Sequence, residues 1–146
     1  MAIVDNLNEL THEVLGDMQF DFDPIEPGEY VCDRCLTARI TIDGAWRGLL
    51  TLSVPLRFAR RFSADWLSVA EADVSQEMAR DGLGELINTL GGHFKARFFG
   101  KGQLGLPEVM EDNPVPEPVE GVEEALVAHF KCEGFPIRLS VAVRTS

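Results

Sequence analysis

The stretch Ser75-Gln-Glu-Met78-Ala79-Arg-Asp81-Gly-Leu83-Gly84-Glu85-Leu86-Ile87-Asn88-Thr-Leu90-Gly91-Gly92-His93-Phe94 carries two patterns that belong to one helix. Ala79, Leu83, Leu86, Leu90 and Phe94 recur at helical spacing, with Met78 and Ile87 beside them, which predicts an amphipathic helix with a core-facing stripe. Asp73 or Ser75 starts it, and it runs to about Phe98. Asp81, Glu85 and Asn88 fall at i, i+4 and i+7, a second stripe facing away from the core.

A solvated face is the ordinary use of acidic residues on a helix. The glycines argue for something more specific. Gly84 lies four residues before Asn88, and Gly91 and Gly92 lie three and four after it. Each glycine in a helix interior costs about 1 kcal/mol relative to alanine, so the helix gives up roughly 3 kcal/mol along this face. A face that meets only water is better filled with Ala, Lys or Glu. Two uses of the glycines stay open. One is a bare ridge around Asn88 that enters another protein's cleft, the inverse of a pocket. The other is close helix packing inside this chain, above all at Gly91 or Gly92. On the first use, Asp81, Gly84, Gly91 and Gly92 are docking residues, and Glu85 and Asn88 carry the chemistry.

Working outward, Leu36 to Ile42 and Trp46 to Val54 alternate as strands around Asp43-Gly44, a dipeptide associated with tight hairpins. Pro55 then opens a helix over Leu56 to Leu67, since proline is favoured at a helix start. Ile3 to Leu15 predicts an N-terminal helix with Gly16 as its stop, and Asp17 to Val31 a loop. After the long helix come a glycine-rich segment, Gly100 to Gly105, and a short edge segment, Leu106-Pro107-Glu108-Val109. Met110 to Gly121 is proline-rich, acidic and loop-like. Ala125 to Cys132 and Ile137 to Val143 predict two closing strands around a turn at Glu133-Gly134-Phe135-Pro136. The order helix, hairpin, helix, helix, hairpin predicts an α+β fold, an antiparallel sheet packed against long helices.

The chain has 146 residues, which suits one domain over residues 1–146 with one core. Its 24 acids against 13 bases give a net charge of −11, which excludes nucleic acid and anionic lipid surfaces as natural partners and favours a cationic one. Seven of the acids fall in Gly102 to Phe130, a stretch with no Lys or Arg. Solvation is the ordinary meaning of such a run. Stretches without a charged side chain reach only nine residues, such as Gly48 to Leu56, too short for a membrane span. Met1 to Gly16 holds no Lys or Arg and no long apolar core, so no secretory signal is expected and a cytoplasmic setting is.

Three cysteines, Cys32, Cys35 and Cys132, make an odd count, and free, part-buried thiols are the default expectation. Cys32-Asp-Arg-Cys35 has CxxC spacing, but strand-like sequence follows it where a redox site needs a helix N-terminus. A zinc site recruiting His129 and Cys132 suffers from their three-residue separation in a strand, which points them to opposite faces. No metal site is expected. His12, His93 and His129 suit structural or surface roles. His93 lies about 140° around the helix from Asn88. Arg57, Arg60 and Arg61 form a solvated helix face, with a charge partner for an acidic neighbour as the minor reading.

Asp81-x3-Glu85-x2-Asn88-x3-Gly92 resembles the [Asp/Ser]-x3-Glu-x2-Asn-x3-Gly signature of the CheC, CheX and FliY phosphatases of bacterial chemotaxis. Within that group the chain is similar to CheX from about Asn6 onward, with one copy of the motif. The hairpin Ile42-Asp-Gly44-Ala-Trp46-Arg-Gly48-Leu-Leu-Thr-Leu52, the Leu106-Pro107 segment and the two closing strands fall in family order. Cys32, Cys35 and the acidic stretch Glu108 to Glu124 are not part of the family pattern.

The resemblance implies a phosphatase that hydrolyses the aspartyl phosphate of a CheY-like response-regulator receiver domain. Asn88 would orient the attacking water, Glu85 would pair with the receiver's active-site lysine, and Asp81 would support them. The chain would need no cofactor of its own, the Mg2+ being the receiver's, and a homodimer is implied. The chemistry is consistent with the residues: phosphoryl transfer is managed by positioning and charge, and an amide both donates to and accepts from water. The alternatives are a non-catalytic module of the same fold that docks a receiver or a flagellar-switch component, and a weaker zinc or redox reading through the cysteines.

Overall fold

In the computed structural model the described residues are 9, 13, 22–26, 34–44, 47–96, 102–111 and 124–144. Of the expected N-terminal helix only Glu9 and Glu13 are among them, both helical and exposed. The rest of Ile3 to Leu15 lies outside the described residues, as do His12 and Cys32.

The central hairpin pairs β2 (Cys35–Asp43) with β3 (Arg47–Pro55), in register from Cys35↔Pro55 to Asp43↔Arg47. Residues 44–46 join the strands, and Ala45 and Trp46 lie outside the described residues. The closing hairpin pairs β6 (Glu124–Cys132) with β7 (Phe135–Arg144). Its turn is tighter than the four residues the sequence predicts. Glu133 and Gly134 alone make it, with φ of 52° and 80°, and Cys132 pairs directly with Phe135. Two consecutive positive φ values match the right-handed twist of the flanking strands, so Phe135 and Pro136 are drawn into β7. Pro136 fits there because the pairing of β7 with β3 reaches only as far as Arg138.

The described residues form one antiparallel sheet in the order β1 (Phe22–Pro24), β6, β7, β3, β2, β4 (Gln103–Leu104), with β5 (Glu108–Glu111) also on β2. β1 falls where the sequence predicts loop, β4 in the glycine-rich segment, and β5 begins in the expected edge segment and runs on into residues read as loop. β1 pairs with Phe130 to Cys132 at one edge, a position that tolerates proline. At the other edge β4 pairs with Ile42 and Asp43, and β5 pairs with Leu36 to Arg39. Met110 and Glu111 are therefore strand and not part of the acidic loop. Residues 112–123 lie outside the described residues.

α1 (Leu56–Leu67) follows β3 with Pro55 as its N-cap, as expected. It ends at Ser68 in the left-handed region (φ 56°), where the backbone N–H groups of Ser68 and Val69 fold back to Asp65 and Ala64. Of the two expected starts for the long helix, Ser75 caps α2 (Gln76–Phe94): its Oγ accepts from the Met78 N–H at 3.1 Å. Asp73 belongs to a preceding 3-10 turn, and Phe98 lies outside the described residues.

Alternate residues of β2 (Leu36, Ala38, Ile40, Ile42), β3 (Leu50, Leu52, Val54) and β7 (Ile137, Leu139, Val141) join one core with both helices. α1 contributes Phe58, Ala59 and Phe62, and α2 contributes Ala79, Leu83, Leu86, Ile87, Leu90 and Phe94. The intervening strand positions carry Thr37, Thr51, Ser53 and Ser140, also buried, with the Thr37 and Ser53 hydroxyls 3.1 Å apart. This is the expected α+β architecture.

Candidate functional site

Burial of the apolar stripe of α2 fixes the opposite stripe toward the outside. Asp81 and Glu85 are exposed and Asn88 is half-buried, all on one side of a helix whose other side is locked in the core. Neither carboxylate has an ion-pair partner among the described residues. The Thr89 hydroxyl donates to the Glu85 carbonyl at 2.9 Å, closing the helix surface beside the stripe.

The stripe does not stand as a bare ridge. It borders an open groove of about 520 Å3, lined by Arg80, Asp81, Gly84, Glu85 and Asn88 on α2 and by Gly105, Leu106, Pro107 and Val109 across from them. The second wall comes from the edge segment that carries β4 and β5, and several contacts hold it in place. The Gly105 N–H donates to the Thr41 carbonyl at 2.8 Å. Arg39 donates to Glu108 through Nη2 at 2.9 Å and Nε at 3.1 Å. Arg80 reaches across from α2, donating to the Val109 carbonyl at 2.8 Å and lying 3.8 Å from Glu111, which Gln76 also meets.

Arg80 and this wall are the parts that motif reading missed. A signal was present. Gln76 and Arg80 lie four apart on α2, so both donors share one helix face and can meet one acidic neighbour such as Glu111.

The glycines divide between the two uses left open. A Cβ on Gly82 would collide with Ser63 Oγ and lie 2.8 Å from Ser63 Cβ, so this glycine lets α1 and α2 approach. A Cβ on Gly91 would lie 3.1 Å from Ile40 and 3.3 Å from Leu104, so Gly91 serves the helix–sheet contact. At Gly84 the nearest side chains would be Val109 at 3.8 Å and Pro107 at 4.0 Å, ordinary contact distances. At Gly92 the nearest would be Leu104 at 4.0 Å.

The three glycines assigned to docking sit in different surroundings. Gly91 is buried and packs inside the chain. Gly84 is also buried, at the meeting of helix and edge segment, so it forms groove and not ridge. Gly92 is half-buried and, like Gly84, has room that internal packing does not use.

The remaining candidates lie elsewhere. Cys35 is disulfide-bonded, so the expectation of free thiols is corrected there; Cys132 is buried and in no disulfide. That expectation rested on compartment, whereas bonding depends on which thiols the chain brings together. Among the described residues no group of three or more His, Cys, Asp or Glu side chains could hold a metal ion.

His93 is exposed and is not among the residues lining the groove. His129, on β6, has its pKa pushed below 6.5, first by burial and then by the charge of Arg138. The arginines of α1 are not simply solvated: Arg57 stacks 5.9 Å from the centre of the Phe135 ring, and Arg60 donates to the Val74 carbonyl at 3.3 Å. Among the described residues no helix is long and apolar enough to cross a membrane.

Residues 36–131 match the sequence profile of the family described as chemotaxis phosphatase CheX. Similar folds recur in solved structures. The chemotaxis protein CheX of Vibrio vulnificus superposes with a TM-score of 0.78 at 15% identity, over 99% of this chain and 97% of that one. CheX from the CheX–CheY–BeF3–Mg2+ complex of Borrelia burgdorferi superposes with a TM-score of 0.72 at 17% identity, over 97% of both chains. A CheC-like protein of Shewanella oneidensis gives 0.64 at 11% identity, over 95% of this chain and 94% of that one. No curated protein sequence matches the chain.

Proposed function

The chain belongs to the chemotaxis phosphatase CheX family, and from that premise we propose that it hydrolyses the aspartyl phosphate of a CheY-like receiver domain, using Glu85 and Asn88 of α2. The observation that carries this reading is the pairing of those two side chains, one turn apart on a helix fixed from behind by its core stripe, beside an open groove. A partner can reach both without any part of α2 moving. Precise placement is what this chemistry asks of a protein, because the loose transition state of phosphoryl transfer leaves little covalent work to be done.

In the proposed step the Asn88 amide accepts a hydrogen bond from a water through its oxygen and restrains the water oxygen through its NH2 group. The water attacks phosphorus opposite the aspartyl oxygen. A bond from the water oxygen to phosphorus forms, the bond from phosphorus to the aspartyl oxygen breaks, and the products are inorganic phosphate and the free aspartate. No group of the chain has to change protonation for the water to be placed.

The Glu85 carboxylate, exposed and without an ion-pair partner among the described residues, pairs with a lysine of the receiver's active site and sets the depth of entry. Asp81, one turn earlier, adds negative charge on the approach side. The Mg2+ belongs to the receiver and shields its phosphoryl oxygens, a division consistent with the company that the Borrelia burgdorferi CheX keeps in its crystal, CheY with BeF3 and Mg2+. A cytoplasmic setting and a homodimer belong to the same reading.

The test is the decay of a panel of phosphorylated receiver domains with the wild type and with Asn88→Ala. Acceleration by the wild type that Asn88→Ala abolishes is the expected result. Equal decay with both proteins overturns the mechanism, and binding without acceleration would leave a non-catalytic docking module.

A further inference from the structure

Leu106 is 87% exposed, more than any other large apolar side chain among the described residues. Isolated exposed leucines are common and ordinarily mean nothing. This one differs in how it is held and where. On one side Gly105 is pinned to β2 by its hydrogen bond to Thr41, so closely that a Cβ there would collide with Thr41 Oγ1. On the other side Pro107 fixes its own φ, and β5 begins at once, in register with β2. Leu106 therefore projects from a braced segment and not from a loose loop. It also lines the groove that Glu85 and Asn88 line from the helix side.

The charge of that groove is one-sided. Its cation, Arg80, is committed within the chain to the Val109 carbonyl and to Glu111. Asp81 and Glu85 remain exposed and without ion-pair partners among the described residues. An occupant matched to these walls presents a cation to the helix side and an apolar surface, a short distance away, to the Leu106 side.

We propose that Leu106 is a preorganised apolar anchor for the receiver domain. It seats on an apolar patch beside the receiver's active-site lysine while Glu85 meets that lysine. This rests on the function proposed above and adds a specificity determinant to it: receivers lacking an apolar surface at that place are poor substrates. Because the segment is already ordered, little conformational freedom is lost when the leucine is covered. Because the Leu106 side chain has no polar group to act on the water held by Asn88, it contributes to binding in the ground state and the transition state alike, and so to KM and not to kcat.

The test measures the affinity of a panel of receiver domains, activated with beryllofluoride in Mg2+, for the wild type, Leu106→Ser, Asn88→Ala and Leu67→Ser, together with KM and kcat on the phosphorylated receivers. Leu67 is exposed on α1 and is not among the groove residues, so it controls for loss of any surface leucine. The expected result is an approximately tenfold or greater weakening of binding, and the same rise in KM, for Leu106→Ser, with kcat and Tm unchanged. Leu67→Ser stays at the wild-type affinity, and Asn88→Ala keeps its affinity while losing kcat. If the wild type binds and Leu106→Ser binds equally well, or if Leu67→Ser weakens binding as much, the anchor is overturned and the phosphatase reading stands. If Leu106→Ser weakens binding but the wild type accelerates no decay, the anchor holds and catalysis fails. Absence of binding by the wild type to every receiver overturns both.

Discussion

On one face of α2, Ala79, Leu83, Leu86, Ile87, Leu90 and Phe94 are buried against the sheet and α1; on the other, Asp81 and Glu85 stand exposed beside a groove, with Asn88 half-buried between them and the helix end. Each face carries glycines, and the two sets answer to different needs. Gly82 and Gly91 have neighbours so close that a side chain has to displace something, whereas Gly84 and Gly92 have room to spare. The lesson is that a run of helical glycines is not one signal. Some lower the cost of close packing; the others stay bare although the helix would be steadier with alanine. Substitutions on the packing face should therefore register as stability, and substitutions on the groove face as activity.

The largest expected effect lies on the packing face. Leu86→Ala removes a fully buried side chain from the shared core and should lower unfolding stability by about 2–5 kcal/mol, the range for such truncations. Denaturant titration checks this, and the specific activity of the fraction still folded should stay near that of the wild type. The next effect lies on the groove face. Asn88→Ala should leave the denaturant midpoint unchanged and cost about 100-fold in the rate of receiver dephosphorylation, equivalent to about 2.7 kcal/mol in the barrier. A large stability change in Asn88→Ala, or a large activity loss in folded Leu86→Ala, would break the separation between the faces.

Much of this separation was legible before the fold was known, for a physical reason. Helical periodicity is a local property, so the stripes of α2 could be assigned from Ser75 to Phe94 alone, and Pro55 announced α1 in the same way. The hairpin strands were legible because alternation and turn residues are local as well. The groove was not. Its second wall is built by β4 and β5, which are short, follow glycine or proline, and exist as strands only because β2 pairs with them across a separation of sixty residues or more. Nothing within Gly102 to Glu111 encodes that pairing by itself.

The division of the glycines was hidden for the same reason. Whether Gly82 packs or lies bare depends on Ser63, and for Gly91 it depends on Ile40 and Leu104. The motif positions Asp81, Glu85 and Asn88 could be picked out from spacing, but the surface beside them could not, and the expected bare ridge became one side of a groove.

A paired substitution sharpens the comparison at lower cost to the molecule. Gly82→Ala forces a methyl group into Ser63, partly against its backbone at 3.1 Å, and should destabilise by about 1–3 kcal/mol, as overpacking does. Gly84→Ala meets only ordinary contacts and should stabilise by about 0.5–1 kcal/mol through helix propensity. The same methyl narrows the groove beside Val109 and Pro107, so the rate on phosphorylated receivers should fall while the midpoint rises. Opposite signs in stability and activity from one methyl group would separate function from folding at that position. A Gly84→Ala protein that is both steadier and fully active would show that the groove admits nothing at its floor.

The smallest effect lies away from both faces of α2, at His129 on β6. Burial and the charge of Arg138 hold its pKa below the 6.5 of the unfolded chain. Between that value and the lower folded one, the unfolded state binds more protons than the folded state, so this residue's contribution to stability is complete above pH 6.5 and is lost as the pH falls through that window. Urea midpoints should therefore decline from about pH 7.5 to about pH 5.5, and His129→Gln should flatten part of that decline. The side chain is only half-buried, so the change is small. An unaltered slope in His129→Gln would assign the pH dependence to other groups. Because His129 does not line the groove, receiver dephosphorylation by His129→Gln should follow the wild-type pH profile throughout, which makes it the control against which an altered profile in a groove-face variant can be read.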